Sequence, residues 1–66
     1  MRKYIVLHRR EEYKPVIVYI DSITHFESWD NETTVGTSGG AVLYVVESIG
    51  DIILKIKKRR IQYNGQ

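Results

Sequence analysis

Helical hydrophobic spacing is found in one segment, near the end of the chain. The stripe consists of four isoleucines at the i, i+3, i+4 and i+7 positions: Ile49, Ile52, Ile53 and Ile56. Ser48 precedes this stripe, and Asp51 follows three residues later, which resembles the capping box that starts many helices. Because the sequence offers one amphipathic helix, the rest of the core must come from strands.

Short runs rich in β-branched and aromatic residues fill most of the chain before the helix, and such runs are typical of strands. The segments predicted as strands are 3–8, 16–20, 23–28, 33–37 and 41–46. Gly39 and Gly40 predict a tight turn between the last two segments. Ile23 and Phe26 are three residues apart, so we expect a bend or bulge near Thr24. The sequence predicts an α+β fold: a small antiparallel β-meander of about four strands with one C-terminal amphipathic helix.

Sixty-six residues form a single small domain, residues 1–66, in which we expect 61–66 to be a flexible C-terminal tail. A domain of this size buries about 60% of the surface that its unfolded chain exposes. The predicted core consists of Ile5, Leu7, Val16, Val18, Ile23, Phe26, Val35, Leu43, Val45, Ile49, Ile52, Ile53 and Ile56. The choice of Leu43 and Val45 depends on register, because a slip of one residue exchanges the faces of a strand.

Self-association is predicted from the lack of other stabilisers. The sequence has no cysteine and only two histidines, so disulfides and a thiolate zinc site are excluded. With a single helix, one face of the sheet must meet another copy or another protein. The predicted contact residues are Gly50, Leu54 and Ile61 on a second helix edge, with Tyr19 and Trp29. The alternative is that Gly50 lies in a frayed first turn and Leu54 is a lone exposed apolar residue.

Nucleic-acid binding is the alternative function, because all five basic residues of the last twenty positions lie close together on the helix. They are Lys55, Lys57, Lys58, Arg59 and Arg60. Seven aromatic residues could stack on bases. However, residues 1–46 carry five basic and six acidic side chains. Basic residues at a helix C-terminus also stabilise the helix dipole, which explains their position without a ligand.

No catalytic set is predicted. His25 and Glu27 alternate on one face of a strand, but a third orienting or electrophilic group is missing beside them. We therefore expect no enzyme activity, no cofactor, no metal site and no small-molecule substrate. No run approaches the roughly 20 apolar residues that span a bilayer, so we expect a cytoplasmic protein.

The order of short motifs along the chain resembles the small bacterial flagellar and swarming-motility proteins of the FlbD/SwrD type. The motifs are Pro15–Val18, Ile23 with Phe26 and Glu27, Thr33–Thr37 with Gly39 and Gly40, Val45–Ser48, and Ile52–Ile56. The resemblance covers residues 3 to about 58, and its most specific part is Val45–Ser48. It implies a small, cytoplasmic, non-enzymatic accessory protein of motility. A phage or mobile-element regulatory protein on the same scaffold is the alternative.

Overall fold

A computed structural model describes residues 2–60 of the chain; the side chain of Arg60 lies outside this description. The elements are strands β1 (Tyr4–His8), β2 (Pro15–Tyr19), β3 (Ile23–Trp29), β4 (Glu32–Thr37) and β5 (Val42–Val45), and helix α1 (Ile49–Arg60). A short 3-10 helix, Ile20–Ser22, joins β2 to β3. The predicted α+β fold of antiparallel strands with one C-terminal helix is confirmed, with five strands in two small sheets.

All strand pairs are antiparallel, and they form a two-stranded sheet, β1–β2, and a three-stranded sheet, β3–β4–β5. The end of β1 joins the two sheets. The N–H of Val46 donates to the His8 carbonyl at 3.0 Å, and the N–H of Arg10 donates to the Tyr44 carbonyl at 2.8 Å. The strands therefore follow the spatial order β2–β1–β5–β4–β3.

The connections follow local backbone chemistry. Asp30 and Asn31 have φ of 54° and 64°, the left-handed values of a two-residue type I′ turn between β3 and β4. Trp29 thus ends β3, one residue beyond the predicted segment 23–28. In β3 the pairing passes from Ile23 to His25 with one residue left over, which confirms the predicted bulge at Thr24.

The core lies between the inner face of the sheets and α1. Its buried members are Ile5, Leu7, Val18, Ile20, Val35, Val45 and Ile52. Leu43 and Val45 point inward, while Val42 and Tyr44 are exposed, so the predicted register of β5 is confirmed. Ile20 was missed, because the 3-10 helix turns its side chain inward after the strand has ended.

Helix α1 begins as the sequence predicted. The Ser48 hydroxyl accepts a hydrogen bond from the Asp51 N–H at 3.1 Å, and the Ser48 carbonyl accepts the Ile52 N–H at 3.0 Å. The predicted width of the buried stripe was wrong. Ile53 is 41% exposed and Ile49 only half-buried, because the helix turns Ile52 toward β1 and β3 and leaves its neighbour at the edge of the contact.

Candidate binding surfaces

One face of the β1–β2 hairpin points away from the core and is partly exposed, with the guanidinium groups of Arg2 and Arg59 over the Tyr19 and Tyr4 rings at one end. Directly paired residues of antiparallel strands share a face, and three pairs form this one. We call it the outer face; its members are Tyr4, Val6 and His8 of β1, paired with Tyr19, Ile17 and Pro15 of β2. None of the six is a lysine, arginine, aspartate or glutamate, and Ile17 is 59% exposed.

The uncovered surface continues across the junction between the sheets. Because Arg9 bridges Val45 in antiparallel fashion, His8 lies opposite Val46. The side chains of Val42, Tyr44 and Val46 therefore extend the outer face along β5, and each is at least 40% exposed. Contiguous exposed apolar surface is uncommon on monomeric proteins and marks sites of contact.

The predicted contact residues do not form one patch. Tyr19 lies on the outer face, whereas Trp29 is at the far end of β3 and is 82% exposed. Gly50 and Leu54 are exposed on the solvent side of α1, where a methyl group added at Gly50 would meet only the Ser48 hydroxyl, at 3.9 Å. Ile61 lies outside the described residues.

Sequence reasoning missed the other members of the outer face, although a signal was present. Alternation along each strand separates exposed Tyr4 and Val6 from buried Ile5 and Leu7. The predicted contact residues were placed mainly on the helix, and of the outer face only Tyr19 was among them.

A second feature is the carboxylate of Glu47, which accepts two hydrogen bonds from His8. Glu47, whose side chain is 10% exposed, accepts the backbone N–H of His8 at 3.0 Å through Oε1. Its Oε2 accepts the ring Nδ1–H of His8 at 2.7 Å. Burial alone would raise the pKa of Glu47, but the hydrogen bonds from His8 outweigh it, and the pKa is lowered. The His8 ring also stacks on Tyr13, with centroids 4.8 Å apart.

A third feature is a basic notch where the start of the chain meets the end of α1. We define the notch by the side chains that line its two adjoining cavities, of about 320 and 260 Å³: Arg2, Lys3, Tyr4, Ile5, Val6, Lys55, Lys58 and Arg59. The two cavities share Tyr4 and Arg59. Of the basic residues predicted to bind nucleic acid, Lys55, Lys58 and Arg59 line the notch. Lys57 is exposed outside both cavities, and the Arg60 side chain lies outside the description.

Arg2 and Lys3 were not predicted as members of this basic surface, because they are more than fifty positions from Lys55 in sequence. The fold brings them together at the start of β1, where the Nε–H of Arg59 donates to the Tyr4 carbonyl at 2.9 Å.

His25, which was considered with Glu27 as half of a catalytic pair, contacts Thr24 and Gly36. The Nδ1 atom of His25 lies 2.9 Å from the Thr24 hydroxyl, and the imidazole covers Gly36 on the neighbouring strand. Within residues 2–60 there is no cluster of three or more histidine, aspartate or glutamate side chains with metal-binding geometry. The helix found in this same range is too short and too polar to cross a membrane.

Comparison with protein-family models, with curated proteins and with solved structures gives no match for this chain. The resemblance to motility proteins therefore stays a prediction from the sequence motifs.

Proposed function

We propose that this chain is a non-catalytic binding module that contacts protein through the outer face, and that its first partner is a second copy of itself. The observation that carries this proposal is the exposed, uncharged surface formed by the paired side chains of β1 and β2. Interface cores are depleted in charged residues and enriched in aromatic ones. Tyr4 and Tyr19 pack edge-on at one end of this surface, with ring centroids 6.3 Å apart.

A second copy is the simplest partner, because an apolar face can pack against the same face of another copy around a two-fold axis. The pairing would cover the face of the sheet opposite to α1. It would also add buried apolar area to a domain that has no disulfide and a small core.

The size of the outer face sets the expected strength of association. Stable interfaces bury about 800 Å² on each partner with 20 or more residues. The outer face and its extension over β5 present nine side chains, so the association belongs to the small, weak class. We expect dissociation constants in the micromolar range, with monomer and oligomer in exchange.

Sedimentation equilibrium tests the proposal over concentrations from about 10 to about 500 μM. The wild-type mass should rise above the 7.7 kDa of one chain. Ile17→Lys places a charge in the middle of the outer face and should leave a monomer at all concentrations. Leu54→Lys is the matched control, because Leu54 is 57% exposed and undergoes the same change, but on α1.

The two variants separate the two candidate surfaces. If Leu54→Lys dissociates the oligomer and Ile17→Lys does not, the helix edge is the contact and the outer face is not. A wild-type chain that stays monomeric over the whole range would refute self-association.

The resemblance to FlbD/SwrD-type proteins supports placing this module among accessory proteins of motility, with a regulatory protein of phage or mobile elements as the alternative. A swarming assay on a strain that lacks the gene, complemented with wild-type or Ile17→Lys protein, tests this role. Normal swarming of the deletion strain would exclude it.

A further inference from the structure

We propose that the basic notch binds single-stranded nucleic acid, with phosphates on its lysine and arginine side chains and bases against Tyr4 and the adjoining Tyr19. This site differs in chemistry from the apolar outer face, and the two share Tyr4 and Val6. The notch combines two properties in one place: a concave surface lined by basic side chains, and aromatic rings within reach of those side chains.

Cationic groups and aromatic rings alternate across the notch. The guanidinium of Arg2 lies over the Tyr19 ring, 3.9 Å from its centroid. Tyr19 meets Tyr4, and the guanidinium of Arg59 lies 5.0 Å from the Tyr4 centroid. A single strand presents the same alternation, with a phosphate and a base in every nucleotide. Stacking on aromatic side chains is the usual way in which proteins hold unpaired bases without reading their sequence.

The electrostatic balance of the notch favours an anion. Of residues 2–60, five basic ones and no acidic one line the two cavities. One acid lies nearby: Asp21 accepts a hydrogen bond from Arg2 at 2.9 Å, and this ion pair raises the pKa of Arg2 and lowers that of Asp21. The pair offsets one charge and leaves four basic residues for a ligand.

Arg59 is held in position by a hydrogen bond from its side chain to the backbone of Tyr4. Its Nε–H donates to the Tyr4 carbonyl, and that hydrogen bond does not use the two terminal amino groups of the guanidinium. A positioned guanidinium suits phosphate, because its planar donors match two phosphate oxygens at once.

The aromatic component distinguishes a single strand from other polyanions. An acidic peptide would use the lysines and arginines but has no flat rings to place against Tyr4 or Tyr19. A duplex keeps its base faces stacked inside the helix, so it would also leave the tyrosines unused. The notch is therefore expected to prefer unpaired nucleotides.

Fluorescence anisotropy with a labelled oligothymidylate of about ten nucleotides tests the proposal, since sites of this kind cover about 4–16 nucleotides. Contact with about three phosphates predicts an affinity about 20-fold lower at 200 mM than at 50 mM salt. Lys58→Glu should weaken binding about tenfold at low salt. Lys57→Glu is the matched control, because it carries the same charge change on the neighbouring residue outside the notch, and should weaken binding less than about threefold.

Three further measurements test the contribution of the aromatic rings. Tyr4→Leu keeps an apolar side chain but removes the ring, and should lower affinity about tenfold. Polyglutamate of matched charge should displace the oligonucleotide poorly, and a duplex of the same length should bind more weakly than the single strand. The proposal is overturned by absence of binding at low salt, by equal losses in Lys57→Glu and Lys58→Glu, or by equal competition from polyglutamate.

Discussion

Removal of the Glu47 carboxylate should destabilise the domain more than removal of any other single acidic side chain. In Glu47→Ala the backbone N–H and the ring Nδ1–H of His8 both lose their acceptor. Each hydrogen bond to a charged group contributes about 1.5–3 kcal/mol. The His8 side chain is 30% exposed, so water replaces part of the ring's bond. We therefore expect a loss of about 2–4 kcal/mol, a large share of the total for a domain of this size.

Urea unfolding followed by far-UV circular dichroism measures this loss; Trp29 is too exposed for its fluorescence to report on the core. With a slope near 1 kcal/mol/M, the midpoint should fall by about 2 M or more. Glu47→Gln keeps one oxygen acceptor and should cost about half as much. Glu27→Ala, on the exposed side of β3, is the matched control and should change stability by less than about 0.5 kcal/mol. A Glu47→Ala midpoint equal to that of Glu27→Ala would refute the role assigned to this carboxylate.

The same contact has a pH dependence whose sign follows from the lowered pKa of Glu47. A carboxyl that is more acidic in the folded state stabilises the fold above its unfolded pKa. That contribution is lost as the pH falls through its folded pKa. The stability difference between wild type and Glu47→Gln should therefore be largest at neutral pH and shrink in acid. A difference that grows on acidification would contradict the assignment.

Two smaller perturbations test local features of the fold. Ser48→Ala removes the hydroxyl that accepts the Asp51 N–H and should cost about 1 kcal/mol in urea unfolding, whereas Ser48→Asp should be close to neutral. Gly36→Ala would place a methyl carbon in overlap with Cε1 of the His25 ring, so the ring must move. We expect this change to cost about 1 kcal/mol in the wild-type background and less in His25→Ala, a non-additivity that a double-mutant cycle measures.

Local patterns predicted much of the fold, because the features concerned depend on neighbouring residues. The start of α1 follows from Ser48 and the isoleucine spacing that comes after it. The bulge at Thr24 follows from the three-residue interval between Ile23 and Phe26. In both places the side-chain period of the sequence determines the backbone geometry directly.

Features that need long-range information were missed or misplaced. Periodicity defines a stripe on α1 but not the rotation of the helix on the sheet, and so Ile53 was wrongly assigned to the core. The contact between His8 and Glu47 joins residues 39 positions apart and depends on the pairing of β1 with β5. The basic notch likewise depends on where the fold places Arg2 beside α1.

The proposed contact and the proposed notch use different chemistry at neighbouring places on β1. Exposed apolar side chains in the middle of the hairpin suit a protein partner, while the basic residues around Tyr4 suit an anionic one. A nucleic-acid strand in the notch of one copy would lie close to the edge of the outer face. Because Tyr4, Val6 and Tyr19 take part in both surfaces, self-association and strand binding should compete with each other.

Amide chemical shifts recorded by NMR at increasing protein concentration test the central claim most directly, because they locate the contact residue by residue. Self-association through the outer face predicts concentration-dependent shifts at Val6, Ile17 and Tyr44, with little change at Gly50 and Leu54 on the helix. Spectra that do not change up to about 1 mM, or changes confined to α1, would contradict it.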